Sequence, residues 1–105
     1  MGRFGLVGNF RAQPQQGDAL AELLLEAAEA LGANPECELY VISRSPDDAD
    51  AVWVTEVWTS PDAHRASLED NRVRELITQA RPLIAGLGER FELSPVGGKG
   101  LPLPG

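Results

Sequence analysis

A ferredoxin-like α+β sandwich, β-α-β-β-α-β, is the fold predicted for this chain of 105 residues. Four stretches rich in β-branched and aromatic residues alternate with two helical regions in that order. Only the polar segment 45–50 (SPDDAD) separates the middle two stretches, which makes them an antiparallel hairpin. The strands are apolar on both sides. Two helical layers cover one face of a four-stranded antiparallel sheet, and the other face then needs a partner.

The first strand, residues 4–12 (FGLVGNFRA), puts Phe4, Leu6 and Phe10 on one side and Gly5, Val7 and Asn9 on the other. A polar turn at 14–17 follows. Asp18 is expected to cap a helix in which Leu20, Leu23, Leu24, Ala27 and Leu31 repeat with a helical period, closed by Gly32 with Pro35 just beyond. Residues 37–43 (CELYVIS) and 51–58 (AVWVTEVW) are strands two and three. Ser60 caps a short helix over 61–69, with Pro61 suited to its first position and Asp62 to the positive end of its dipole. A longer helix from about Arg72 carries Val73, Leu76, Ile77, Ala80 and Ile84 on one stripe. It is expected to kink at Pro82 and to close at Gly86 and Gly88. Residues 91–94 form a short fourth strand. Residues 1–96 thus read as a single domain, and 97–105 as a Gly/Pro-rich tail without regular structure.

Nine Lys and Arg against 16 Asp and Glu give a net charge of −7. That balance repels nucleic acid and anionic membranes. No apolar run reaches membrane-span length. Met1-Gly2-Arg3 leads directly into strand one, leaving no room for a signal peptide. The one cysteine, Cys37, has no internal disulfide partner. A cytoplasmic protein that binds neither nucleic acid nor membrane is expected. With one His and one Cys, and Asp47, Asp48 and Asp50 confined to a hairpin loop, no metal site is expected. Ser67 lacks the flanking glycines of a nucleophile elbow.

Chemistry concentrates where strand three meets the helix at Pro61. Glu56 and Trp58 are two apart on the strand and so share a face, and His64 follows about one helical turn in. A carboxylate on an otherwise apolar face is costly unless paired or used, so Glu56 is either a general base of raised pKa or a structural acceptor. His64 is either a proton shuttle or a helix residue in solvent. Trp58 either walls a flat aromatic substrate or packs the core, and Tyr40 lines a cleft or an interface.

The sequence TEVW, followed by TSPDAH and a helix, resembles the antibiotic-biosynthesis monooxygenase (ABM) family of dimeric α/β barrels. The resemblance rests on Glu56, Trp58 and His64, with Asn9 on strand one similar to an asparagine that some branches place in the pocket; it runs from Phe4 to about Val96. It implies that two copies pair sheet against sheet as a homodimer, and that Glu56 and Trp58 lie under the helices. It also implies a cofactor-independent monooxygenase acting with O2 on a small aromatic molecule, a phenol or hydroquinone. His64 and Glu56 are then catalytic, and Trp58, Asn9 and Tyr40 bind substrate. A binding or stress-response domain and an isomerase are the alternatives on the same fold. The haem-degrading branch places its histidine nearer Ser67, so no haem is expected.

Overall fold

The computed structural model describes residues 2–102. The elements are β1 (Phe4–Ala12), α1 (Gly17–Leu31), β2 (Cys37–Ser45), β3 (Asp48–Trp58), α2 (Pro61–Ser67), α3 (Asn71–Ala80), a 3-10 turn (Arg81–Leu83) and β4 (Ile84–Leu93). The four strands form one antiparallel sheet in the order β2-β3-β1-β4. The predicted α+β sandwich is therefore the fold observed.

Cross-strand register assigns each side chain to a face, because directly opposed residues in an antiparallel pair point the same way. Phe4 opposes Trp58, Leu6 opposes Glu56, Gly8 opposes Val54 and Phe10 opposes Val52. Tyr40 opposes Glu56 and Ile42 opposes Val54 from the other side. The helices pack on this face in two separate clusters. Leu20, Ala21, Val52 and Ala80 close with Ala12 at one end, and Leu31, Trp58, Ala63 and Val73 at the other. The second face presents Val7, Val41, Trp53, Phe91 and Leu93; of these Val41 is 44%, Phe91 49% and Leu93 55% exposed.

Local chemistry explains where expectation and structure agree. Ser60 has extended backbone and its Oγ accepts from the Ala63 N–H at 3.0 Å, which caps α2 as expected. Asp70 caps α3 in the same way, accepting from the N–H groups of Arg72 and Val73. The expected Asp18 cap of α1 is corrected. The helix begins one residue earlier, at Gly17, after Gln16, and the Asp18 carboxylate instead accepts from Arg44 on β2. Gly17 stands there because a Cβ would lie 2.5 Å from the Ala49 carbonyl oxygen.

The largest correction concerns the C-terminal third. The helix ends at Ala80, not beyond Ile84, and Pro82 falls in the 3-10 turn. Ile84, Gly86 and Gly88, expected on or closing the helix, lie in a ten-residue β4 in place of the short strand at 91–94. Proline removes the N–H that would continue the helical ladder. The glycines then serve a strand with shifted register: Phe10 pairs with Leu87 but Gly8 with Arg90, so two steps along β1 face three along β4. Asn9 fills the resulting space, and a Cβ on Gly88 would lie 2.0 Å from its Oδ1. The hairpin of β2 and β3 is also tighter than the expected 45–50 loop, with pairing already restored between Ser45 and Asp48. Residues 94–102 contain neither helix nor strand and return to the residue before β1, where Arg3 donates to the Pro102 carbonyl. Residues 103–105 of the expected tail lie outside the described residues.

Candidate functional site

Between the two core clusters the helices do not meet the sheet, and a cavity of about 330 Å³ opens there. Aliphatic side chains from α1 and α3, Leu24, Ala27, Leu76 and Ile77 among them, form its roof. Its floor is the helix-side face of β1 and β3. Leu23 and Leu24, expected as core stripe positions, pack against the first core cluster and also line the cavity, and Ile77 of the α3 stripe lies at its wall.

The cavity gathers four of the five residues singled out from sequence: Glu56, Trp58, His64 and Tyr40. Trp58 is fully buried and its Nε1–H donates to Glu56 Oε1 at 2.9 Å. Glu56, 9% exposed, has His64 Nε2 at 3.7 Å from the same oxygen. The imidazole lies between two rings, 5.0 Å from Phe4 and 5.7 Å from Trp58, edge-on to the indole. Strand β3 holds Glu56 and Trp58 on one face, and the Ser60 cap turns α2 back so that His64 points down onto them. Ser67 Oγ donates to the His64 carbonyl at 2.6 Å and fixes the end of that helix.

Burial dominates the electrostatics. It pushes the Glu56 carboxyl above the ordinary carboxylate range, against the opposing pull of the Trp58 donor and of the His64 and Arg90 charges. Burial and the adjacent Glu56 likewise push the Tyr40 phenol up, so Tyr40 stays protonated at the cavity wall. The result is a carboxylate of strengthened basicity beside an imidazole, at the end of a predominantly apolar chamber.

Asn9, the fifth residue, stands apart from the first cavity. Buried at the β4 register shift, it lines a second hollow of about 310 Å³ beside Gly88 and Glu89. Glu56, Leu6, Phe10, Val54 and Arg90 border both hollows. Arg90 had not been singled out from sequence. Arg90 alternates with Glu89 and Phe91 along β4, a period-2 signal obscured by the glycines that precede it. Among the described residues no cluster of three or more His, Cys, Asp and Glu side chains is arranged to hold a metal ion, and no helix is long and apolar enough to cross a membrane.

Comparison with solved structures places this architecture. A Chloroflexus aurantiacus protein assigned to the antibiotic biosynthesis monooxygenases is 47% identical, with a TM-score of 0.88 over 95% of this chain and 99% of that one. A protein of the same assignment from Caulobacter crescentus is 25% identical, with a TM-score of 0.83 over 91% and 92%. SnoaB, a cofactor-independent oxygenase from Streptomyces nogalater, shares the fold at 17% identity, with a TM-score of 0.77 over 94% and 98%. Comparison with curated proteins gives no match. The family model for antibiotic biosynthesis monooxygenases matches residues 3–79. By that match, and by the 47% identity over nearly its whole length, the chain belongs to the antibiotic biosynthesis monooxygenase family.

Proposed function

We propose that the protein is a cofactor-independent monooxygenase that uses O2 to oxidise a small phenol or hydroquinone, and that it works as a homodimer. The observation that carries this is the buried Glu56, raised in basicity by desolvation and set against Trp58 and His64 at the end of the cavity. One structural neighbour is itself described as a cofactor-independent oxygenase, which agrees with this reading.

In the proposed reaction the aromatic substrate lies in the cavity with Trp58 and Tyr40 as walls. Glu56 takes the phenolic proton, and the dry surroundings keep the phenolate electron-rich. The phenolate passes one electron to O2, and the phenoxyl and superoxide radicals combine at a ring C–H carbon to a peroxide anion, which takes back the proton from Glu56 through His64 and becomes a hydroperoxide. Glu56 then removes the hydrogen of that carbon as a proton while the O–O bond breaks, and the departing hydroxide takes up that proton through His64, so that a quinone and one water are formed, with one atom of O2 in each. Asn9, in the adjoining hollow, is the proposed polar contact for the far edge of the substrate. The homodimer is proposed from the half-exposed Val41, Phe91 and Leu93 on the open sheet face, an apolar patch that pairing across a two-fold axis would cover.

An oxygen-electrode screen of metal-free and flavin-free protein against hydroquinones and polyphenols tests the activity. Uptake above buffer, abolished in Glu56→Gln, is the expected result. Thermal stabilisation by the same compounds without uptake would instead favour a non-catalytic binding domain and sink the oxidation.

A further inference from the structure

The charges around the cavity run against those of the chain. Of nine basic residues, two, Arg81 and Arg90, line it, whereas of 16 acidic residues only Glu56 does. Two arginines thus stand at the main hollow of an acidic protein, one of them, Arg90, already paired with Glu92.

Arg90 is the better placed of the two. It projects from β4 on the helix-side face, opposite Gly8, and borders both hollows where they adjoin Glu56. Gly8 makes this approach possible. A Cβ there would lie 2.7 Å from the Glu89 carbonyl oxygen and 3.7 Å from the Arg90 Cβ, so any side chain would lift β4 and its arginine off the floor. Glu92, on the same face of β4, accepts from Arg90 Nη1 at 2.6 Å and steadies the guanidinium. A guanidinium carries five N–H donors in a planar fork, so this contact leaves donors for a second carboxylate. Arg81 stands at the other end, beside Ala80 and Ile84, away from Glu56.

We infer that Arg90 is a specificity-determining residue, and that the cavity selects an aromatic ligand bearing a carboxylate in addition to the group that meets Glu56. This rests on the cavity being the substrate site proposed above, and it names the class of substrate. The ligand lies along the sheet, its hydroxyl at Glu56 and its carboxylate on the Arg90 fork. Charge-assisted, bidentate pairing supplies both affinity and orientation. Because Arg90 is half-exposed, the gain is modest and falls with added salt.

The probes are 6-hydroxy-2-naphthoate and its uncharged methyl ester, titrated calorimetrically into the full-length protein under nitrogen, so that binding is read without turnover. The acid is expected to bind at least about tenfold more tightly than the ester. In Arg90→Gln that ratio falls to near one, and Arg90→Lys, which keeps the charge, retains part of it. Arg65→Gln, at an exposed arginine paired with Asp62 on α2, leaves the ratio unchanged and controls for net charge. Equal affinities in the parent protein, a preserved ratio in Arg90→Gln, a ratio abolished by Arg81→Gln instead, or no binding of either probe at millimolar concentration would each overturn the inference. Oxygen uptake is measured separately. Acid preference without uptake removes the oxidation and leaves Arg90 as an anion selector, whereas uptake without acid preference does the reverse.

Discussion

Replacing Trp58 by Phe keeps an aromatic ring in the pocket and removes one donor, the Nε1–H that meets Glu56 at 2.9 Å. A hydrogen bond to a charged acceptor contributes about 1.5–3 kcal/mol, and a neutral one about 1 kcal/mol. The smaller ring leaves a gap beside Leu31 and Val73 worth roughly another 1–2 kcal/mol. The expected loss is therefore about 2–5 kcal/mol, or on the order of 10–25 °C in Tm for a domain of this size. Its pH dependence is the discriminating part. Burial raises the folded-state pKa of Glu56 above its unfolded value. Stability from this group is therefore fully present below the unfolded pKa and declines as pH rises through the folded one. The indole donor opposes that rise by favouring the charged carboxylate. Without it the folded pKa climbs further, and the decline continues to higher pH. The variant's deficit should thus widen once pH passes the parent's folded pKa, which lies above the ordinary 4.5. Guanidinium unfolding followed by circular dichroism at pH 4.5 and pH 8, at one protein concentration, measures it. A deficit equal at the two values would refute the coupling between indole and carboxylate.

Four further outcomes are expected. His64→Ala should lower oxygen uptake on a validated substrate by roughly 10²–10⁴-fold while the protein stays folded, and full retained activity would exclude proton relay through the imidazole. Gly8→Ala should cost about 1–3 kcal/mol by calorimetry, since its Cβ would press on the Glu89 backbone and not on a side chain free to move. Ser60→Ala removes the α2 cap and should cost about 1 kcal/mol, and should also loosen His64, visible as broadening of its ring proton resonances. Light scattering at micromolar concentration should give a dimer for the parent and a monomer for Phe91→Asp on the open face, and a monodisperse parent monomer would exclude the homodimer.

Elements with a local signature were legible in the sequence. The strand at 4–12 matches β1 residue for residue, because its alternation and flanking turn coincide with the edges of pairing. The cluster of Glu56, Trp58 and His64 was legible too, since period 2 on a strand and a capped helix one residue later leave few other placements. The C-terminal third was not. Ile84 continues the helical stripe of Val73, Leu76 and Ala80, and only pairing with a strand more than seventy residues away turns it into β4. Gly86 and Gly88 read locally as helix breakers, yet their work is to admit Asn9 and a shifted register. Arg90 was missed for the same reason, because its position at the cavity depends on non-local pairing with Gly8. Asn9 and Glu56 lie on opposite sides of β1 and β3 by alternation alone. The bulge that lets both border one hollow is a tertiary feature.

The strand order has a consequence for how the molecule comes into being. β1 is central in the sheet but first along the chain, with β3 on one flank and β4 on the other. A chain emerging from the ribosome exposes β1 at once, and gains its first neighbour only when β3 appears. The second flank stays open until β4 is made, since Gly5 waits for Leu93. Such distant pairing is slow to form, and an unfilled strand edge is an invitation to association with other chains. Any product ending before Ile84 would carry the whole Glu56 cluster but keep that edge bare, and would be expected to accumulate in inclusion bodies. The last ten residues to join the sheet thus decide whether the first nine have a safe place in it.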